Sequence, residues 1–205
     1  MEVFVFPLGE VVFYPSTSKP LNIFEPKYLQ MVKDAVSSRT PIALAFVDDP
    51  TKRHEYNVGR PLEFARSVAG IGHPLILETR PDGTMMIFLQ GAGKVRLKEV
   101  VDRQTPYIVC EADLLNENHL LVSDRAQSFF TIKKVMTHWI YQHIPDVNNR
   151  EQFLKTVQSP EEVVGCFASY LVKDHDLQQL ILEHDDINEK VGLIEAMIGS
   201  GELLR

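Results

Sequence analysis

The sequence predicts an α+β protein, with a β-rich part over residues 1–115 carrying one inserted helix and an α-helical bundle over residues 116–205. Three observations predict it. Up to about residue 115 the apolar residues fall in short runs of period 2, broken by Gly, Pro and Asp. From about Asn116 the apolar period changes to 3.6, and strands and helices segregated along a chain read as α+β. The 205 residues, 44% hydrophobic and 24% charged, make one large domain or two small ones, large enough for a core without staples.

In order along the chain, Met1–Phe6 and Val11–Tyr14 are strand candidates, and Pro26 suits the first turn of a helix in which Tyr28, Leu29, Met31, Val32, Ala35 and Val36 share one stripe. Ile42–Val47 is a continuous apolar run suited to a buried strand. Leu75–Thr79 and Met85–Gln90 form a hairpin around Arg80-Pro81-Asp82-Gly83, where Pro81 fixes φ, Asp82 bonds the turn backbone and Gly83 takes a positive φ. Lys94–Val100 and Tyr107–Ala112 complete the strands. Beyond Asn116, Ser123 or Asp124 can cap a long helix in which Phe129, Ile132, Met136, Trp139, Ile140 and His143 recur at threes and fours and which stops before Pro145. Ser159 as N-cap, Pro160 as first residue and Glu162 as the reciprocal partner open a second helix through Val163, Val164, Phe167, Ala168, Leu171 and Val172. Asp176 opens a short helix with Leu177, Leu180 and Ile181. Asp186 with Glu189 forms another capping box before Ile187, Val191, Ile194 and Ile198, and Gly199 to Gly201 ends the bundle of three or four helices.

Several chemistries are excluded by spacing. Gly91-Ala92-Gly93-Lys94 suggests a phosphate loop, but Phe88 stands where the first glycine belongs and Val95 where the hydroxyl belongs, so a turn or bulge is expected. The seven histidines, at 54, 73, 119, 138, 143, 175 and 184, nowhere form H-x-x-x-H. Cys110 alternates within a strand and Cys166 sits mid-helix beside Phe167; both read as small core residues. No G-x-S-x-G elbow marks a nucleophile. No catalytic residue, metal or cofactor is therefore assigned. With two cysteines at no ligand or disulfide spacing, no basic leader and no long apolar run, a reducing cytoplasm fits and a membrane does not. The net charge is −7; residues 1–115 carry 13 basic against 14 acidic side chains and residues 116–205 carry 8 against 14. Phosphate binding needs the opposite balance.

The strings Phe6-Pro7-Leu8, Val11-Val12-Phe13-Tyr14-Pro15, Pro20-Leu21 and Ile23-Phe24-Glu25-Pro26-Lys27-Tyr28, then Met31-Val32 with Ala35, resemble the N-terminal substrate-binding domain of the Lon proteases. Pro81-Asp82-Gly83, Gln90-Gly91 before Lys94, and Leu177 to Glu183 through Ile187-Asn188-Glu189-Lys190-Val191 are similar to the same domain, so the resemblance covers nearly the whole chain. It departs at Lys94-Val95, at His73-Pro74 and over residues 48 to 60. The resemblance implies a PUA-like pseudobarrel and a helical bundle packed as one unit, acting as a recognition module for unfolded or partly unfolded polypeptides. With no Walker motif or Ser-Lys peptidase domain before residue 205, a stand-alone, non-catalytic binding or adaptor protein is expected. The runner-up is a PUA-like nucleic-acid binder using Lys52, Arg53, Arg60 and Arg66; an enzyme with a cryptic site is third.

The candidate polypeptide-binding residues are Tyr56, Phe13 and Tyr14. Aromatic side chains on loops at the rim of a β scaffold give large contact area at low entropic cost. Tyr56 lies in a polar loop that offers it little to pack against, whereas core packing competes strongly for Phe13 and Tyr14.

Overall fold

A computed structural model describes residues 1–47, 51 and 55–200. The chain divides into two compact units, Met1–Leu115 and Asn116–Arg205.

The first unit contains β1 (Glu2–Leu8), β2 (Ser18–Ile23), α1 (Pro26–Ser38), β3 (Ile42–Phe46), β4 (Val68–Thr79), β5 (Met85–Val101) and β6 (Ile108–Leu115). The sheet order is β2-β5-β4-β3-β1-β6, and β5 also pairs with β6. That additional pairing closes β5, β4, β3, β1 and β6 into a barrel, with β2 appended on β5. The barrel arrangement explains why β1 from Val3 onward and the whole of β3 are apolar. Val3, Val5, Ala43, Ala45, Ile108 and Cys110 fill one core, while Phe4, Phe6, Ile42 and Leu44 point the other way into a second core with Tyr28, Met31, Val32 and Ala35 of α1. A strand buried on both faces loses its alternation.

The hairpin forms as its turn chemistry requires: Gly83 has φ 85° and donates its amide to the Arg80 carbonyl, while Asp82 accepts from the Thr84 amide. Two strand expectations are corrected. Met85–Gln90 and Lys94–Val100 belong to one strand, β5, whose pairing with β4 slips between Ile71 and Gly72, so Gly91-Ala92-Gly93 is a bulge inside it. Val11–Tyr14 is not a strand. Val12, Phe13 and Tyr14 are all buried, and a methyl group at Gly70 would overlap the Phe13 carbonyl, as one at Gly91 would crowd the Tyr14 carbonyl. The segment is thus wedged against β4 and β5, and the strand forms later, as β2.

The second unit contains a 3-10 turn (Ser123–Arg125), α2 (Ala126–His143), α3 (Val147–Lys155), α4 (Pro160–Tyr170), α5 (His175–Glu183) and α6 (Ile187–Ser200). These five α-helices among the described residues exceed the three or four expected. The extra one is α3, a polar helix capped by Asp146, whose carboxylate accepts the Asn149 amide. Helix α4 carries the capping box as expected, Ser159 and Glu162 each accepting the other's amide. Elsewhere the caps differ. Neither Ser123 nor Asp124 caps α2, because the 3-10 turn intervenes. Asp174 rather than Asp176 caps α5. At α6, Asp186 accepts the Asn188 amide and the Glu189 carboxylate turns to His184 at 3.0 Å, so the reciprocal box does not form. The buried stripes Ile132, Met136 and Ile140 on α2, Val163, Val164 and Phe167 on α4, and Val191, Ile194 and Met197 on α6 supply the core.

Candidate functional site

The three sequence-predicted residues separate. Phe13 and Tyr14 are 1% and 2% exposed. Phe13 belongs to the core beside α1, and burial pushes the Tyr14 phenol well above its ordinary pKa. Neither ring presents a surface to a partner; both hold the wedge against the sheet. Tyr56 is 41% exposed and borders a cleft of about 260 Å³ lined by Pro7, Lys27, Tyr28, Pro106, Tyr107 and Ile108. Its aromatic walls are fixed from behind. Tyr28 packs on Phe6 with centroids 4.2 Å apart, Tyr107 packs on Phe4 at 4.9 Å, and the Tyr107 hydroxyl donates to Asp34 at 2.7 Å. Burial and that carboxylate raise the Tyr107 pKa, so its proton stays in place. The Lys27 ammonium stands 4.7 Å over the Tyr28 ring and 3.4 Å from Glu25.

A larger apolar surface was not singled out in the sequence. Beyond Gly72, β4 pairs with β5 alone, and β2 pairs with β5 alone, so residues 73–79 of β4 and the whole of β2 are open edges of a three-stranded lobe among the described residues. Register puts Pro20, Phe88 and Leu75 side by side across the three strands, and all three are exposed. Ile76 and Leu77, next along the open β4 edge, are exposed too, as is Phe24 after β2. The run Leu75-Ile76-Leu77 reads like core, since nothing in it shows that one edge lacks a neighbour.

No cluster of three or more His, Cys, Asp or Glu among the described residues could hold a metal ion. Burial pushes the Cys110 thiol up to about 12 and the Cys166 thiol up to about 11, far from a nucleophile's range. Lys94 is buried within β5 and cannot reach out to a phosphate. Of the basic patch, Arg60 is exposed and Arg66 half-buried, while Lys52 and Arg53 lie outside the described residues. No helix among the described residues is long and apolar enough to cross a membrane.

Comparison with known proteins adds a family to this geometry. The family model described as the ATP-dependent protease La (LON) substrate-binding domain matches residues 2–198. The Lon protease of Escherichia coli strain K12 is 24% identical over 210 residues, covering 98% of this chain and 25% of that protein. The Lon protease of Buchnera aphidicola subsp. Acyrthosiphon pisum is 22% identical over 201 residues, covering 96% of this chain and 24% of the relative. The chain thus spans about a quarter of the length of these relatives. In structure it is similar to a Lon N-terminal domain protein from Xanthomonas campestris, with a TM-score of 0.67, 16% identity and coverage of 96% of this chain and 98% of the other. It is likewise similar to the N-terminal domain of Mycobacterium avium complex Lon protease, with a TM-score of 0.69, 14% identity and coverage of 95% and 97%.

Proposed function

Because the chain belongs to the family of ATP-dependent protease La (LON) substrate-binding domains, we propose that it is a non-catalytic module that binds unfolded or partly unfolded polypeptide through the open three-stranded lobe. The observation that carries this reading is the exposed row Pro20, Phe88 and Leu75 beside the open β4 edge at Ile76 and Leu77. Exposed apolar patches of this kind mark interaction surfaces, and an open edge offers backbone donors and acceptors to an extended chain. An unfolded polypeptide supplies both partners: apolar side chains and unpaired amides. A folded protein supplies neither in quantity. Tyr56, with its aromatic cleft in the same unit, is an accessory contact in this reading. The two buried, unpaired cysteines fit a reducing compartment, the cytoplasm.

The test is binding of a reduced, carboxymethylated model protein to the wild type and to Phe88→Ser, Leu77→Ser and Tyr56→Ala variants, with melting curves in parallel. Truncating an apolar anchor costs about 1 kcal/mol or more, so Kd should rise about fivefold or more for the lobe variants. Binding of the unfolded protein that is unchanged in both stably folded lobe variants overturns the site, and no binding by the wild type overturns the function.

A further inference from the structure

Helix α2 carries an outward surface that the function above does not use. Its inner stripe Ile132, Met136 and Ile140 is buried, whereas Phe130, Lys133, Lys134, Thr137, His138 and Tyr141 line an open trough of about 450 Å³. Phe130 and Tyr141 are 68% and 55% exposed. At 100° per residue, positions eleven apart return to nearly the same meridian of a helix, so the two rings stand in line, about 16 Å apart. Tyr141 is held by the Arg150 guanidinium of α3, 4.6 Å above its ring. Arg150 also donates to the Ile144 carbonyl at 3.3 Å, which fixes the cation at that end of the trough.

Charge identifies what this surface fits. Residues 116–205 carry 14 acidic side chains against 8 basic ones, yet none of the 18 residues of α2 is Asp or Glu. Lys133, Lys134 and Arg150 are gathered around the two exposed rings, with His138 beside them, and neither lysine forms an ion pair among the described residues. We propose that this face docks a short acidic segment of a partner polypeptide. One bulky apolar side chain of the segment lies against Phe130 and another against Tyr141, with carboxylates between them meeting Lys133 and Lys134. A nucleic acid is the poorer fit: a phosphate chain runs on past the trough into a surface that is net negative, while a short acidic segment ends inside it. This inference does not rest on the lobe or on its function.

The probe is a fluorescein-labelled amphipathic peptide of about 12 residues, long enough at about 1.5 Å per residue to reach both rings and short enough to end inside the trough, with Leu on one face and Glu on the rest, titrated against the full chain by anisotropy. The Glu peptide is expected to bind, to bind at least tenfold more weakly to the Lys133→Glu/Lys134→Glu variant and to Phe130→Ser, and to weaken as salt rises. The Lys-for-Glu counterpart is expected not to compete. Lys134 and Phe130 are exposed, so circular dichroism and the melting midpoint of Phe130→Ser should not move. Lys133 is half-buried and attracts the Glu162 carboxylate, so the double-lysine variant is titrated well below its own melting midpoint, where it is fully folded. The lobe variant Phe88→Ser should bind the Glu peptide like the wild type. Equal binding of Glu and Lys peptides, no binding, unchanged binding by the double-lysine variant, or loss of binding in Phe88→Ser overturns the proposal. So does a wild-type dimer in sedimentation that Lys134→Glu dissolves, which makes a second copy the occupant. Single-stranded oligouridylate bound more tightly than the Glu peptide and lost in the double-lysine variant overturns it in favour of nucleic acid.

Discussion

Gly70 lacks a side chain because the Phe13 backbone occupies the space one would need. The consequence is measurable. Gly70→Ala must either push the Val12–Tyr14 wedge off the sheet or distort β4, and overpacking of this kind costs about 1–3 kcal/mol. A urea midpoint equal to the wild type's would mean that the wedge does not lie there. The cysteines give a second residue-scale prediction. A raised thiol pKa leaves almost no thiolate at neutral pH, so Cys110 and Cys166, held near 12 and 11, should resist a disulfide reagent in the folded protein and react only on unfolding. Rapid labelling of either thiol in native buffer would contradict their burial. At this scale the sequence was a partial guide: Cys110 and Cys166 lie in the core settings that alternation and neighbours suggested, but Lys94 is buried where its alternation with Arg96 and Lys98 would place it outside, and the packing role weighed for Phe13 and Tyr14 is fixed by Gly70 and Gly91, 57 and 77 positions away.

Among the elements, those with local chemistry were legible in the sequence. The Ser159–Glu162 box, the Pro81-Asp82-Gly83 turn and the stop before Pro145 each depend on residues within a few positions of one another. What escaped depends on distant partners. The join between the strands at the Gly91–Gly93 bulge requires β4 opposite, and the segment at Asn118 is tied to α6, with its amide donating to the Asp185 carbonyl at 2.7 Å and its carbonyl accepting from Ile187 at 3.0 Å. The Lys190–Glu117 ion pair, both side chains buried, joins the same two segments. Helix α3 was missed for another reason: it is polar and buries no residue fully, so it has no stripe to read. The α4 box can be tested directly. Ser159→Ala should cost about 0.5–2 kcal/mol. The Ser159 amide, with that of Gln158, holds the Glu162 carboxyl below the usual range. Because the folded value is the lower one, the stabilisation is present above the unfolded-state pKa of about 4.3 and is lost as pH falls through the folded value. Glu162→Gln should therefore melt below the wild type at pH 7 and converge with it in acid. A gap that is constant with pH would show that the carboxylate charge contributes nothing.

The whole molecule is acidic, with a net charge of −7 and an isoelectric point near 5.5. That balance bears on the competing nucleic-acid reading, since a fold of strands closed into a barrel does not by itself choose a ligand. A barrel that binds nucleic acid does so by releasing counterions from phosphate, which takes several lysines or arginines on one face. In the β-rich unit the 13 basic side chains are nearly matched by 14 acidic ones. Several of the basic groups are committed to carboxylates: Lys98 to Asp113 at 2.7 Å, Arg103 to Glu2, Arg80 to Glu78 at 3.6 Å and Lys27 to Glu25 at 3.4 Å. A phosphate chain approaching them has to displace an intramolecular partner before it gains anything. Affinity for single-stranded RNA or duplex DNA should therefore stay within the weak, sequence-independent range of about 10⁻⁴–10⁻⁶ M at physiological salt, falling as salt rises. Arg60, exposed on the first unit, is the charge to reverse. Sub-micromolar binding that Arg60→Glu abolishes at constant stability would promote that reading, whereas a weak, salt-sensitive complex indifferent to Arg60 leaves the apolar lobe as the surface on which this acidic molecule can capture a partner without paired charge.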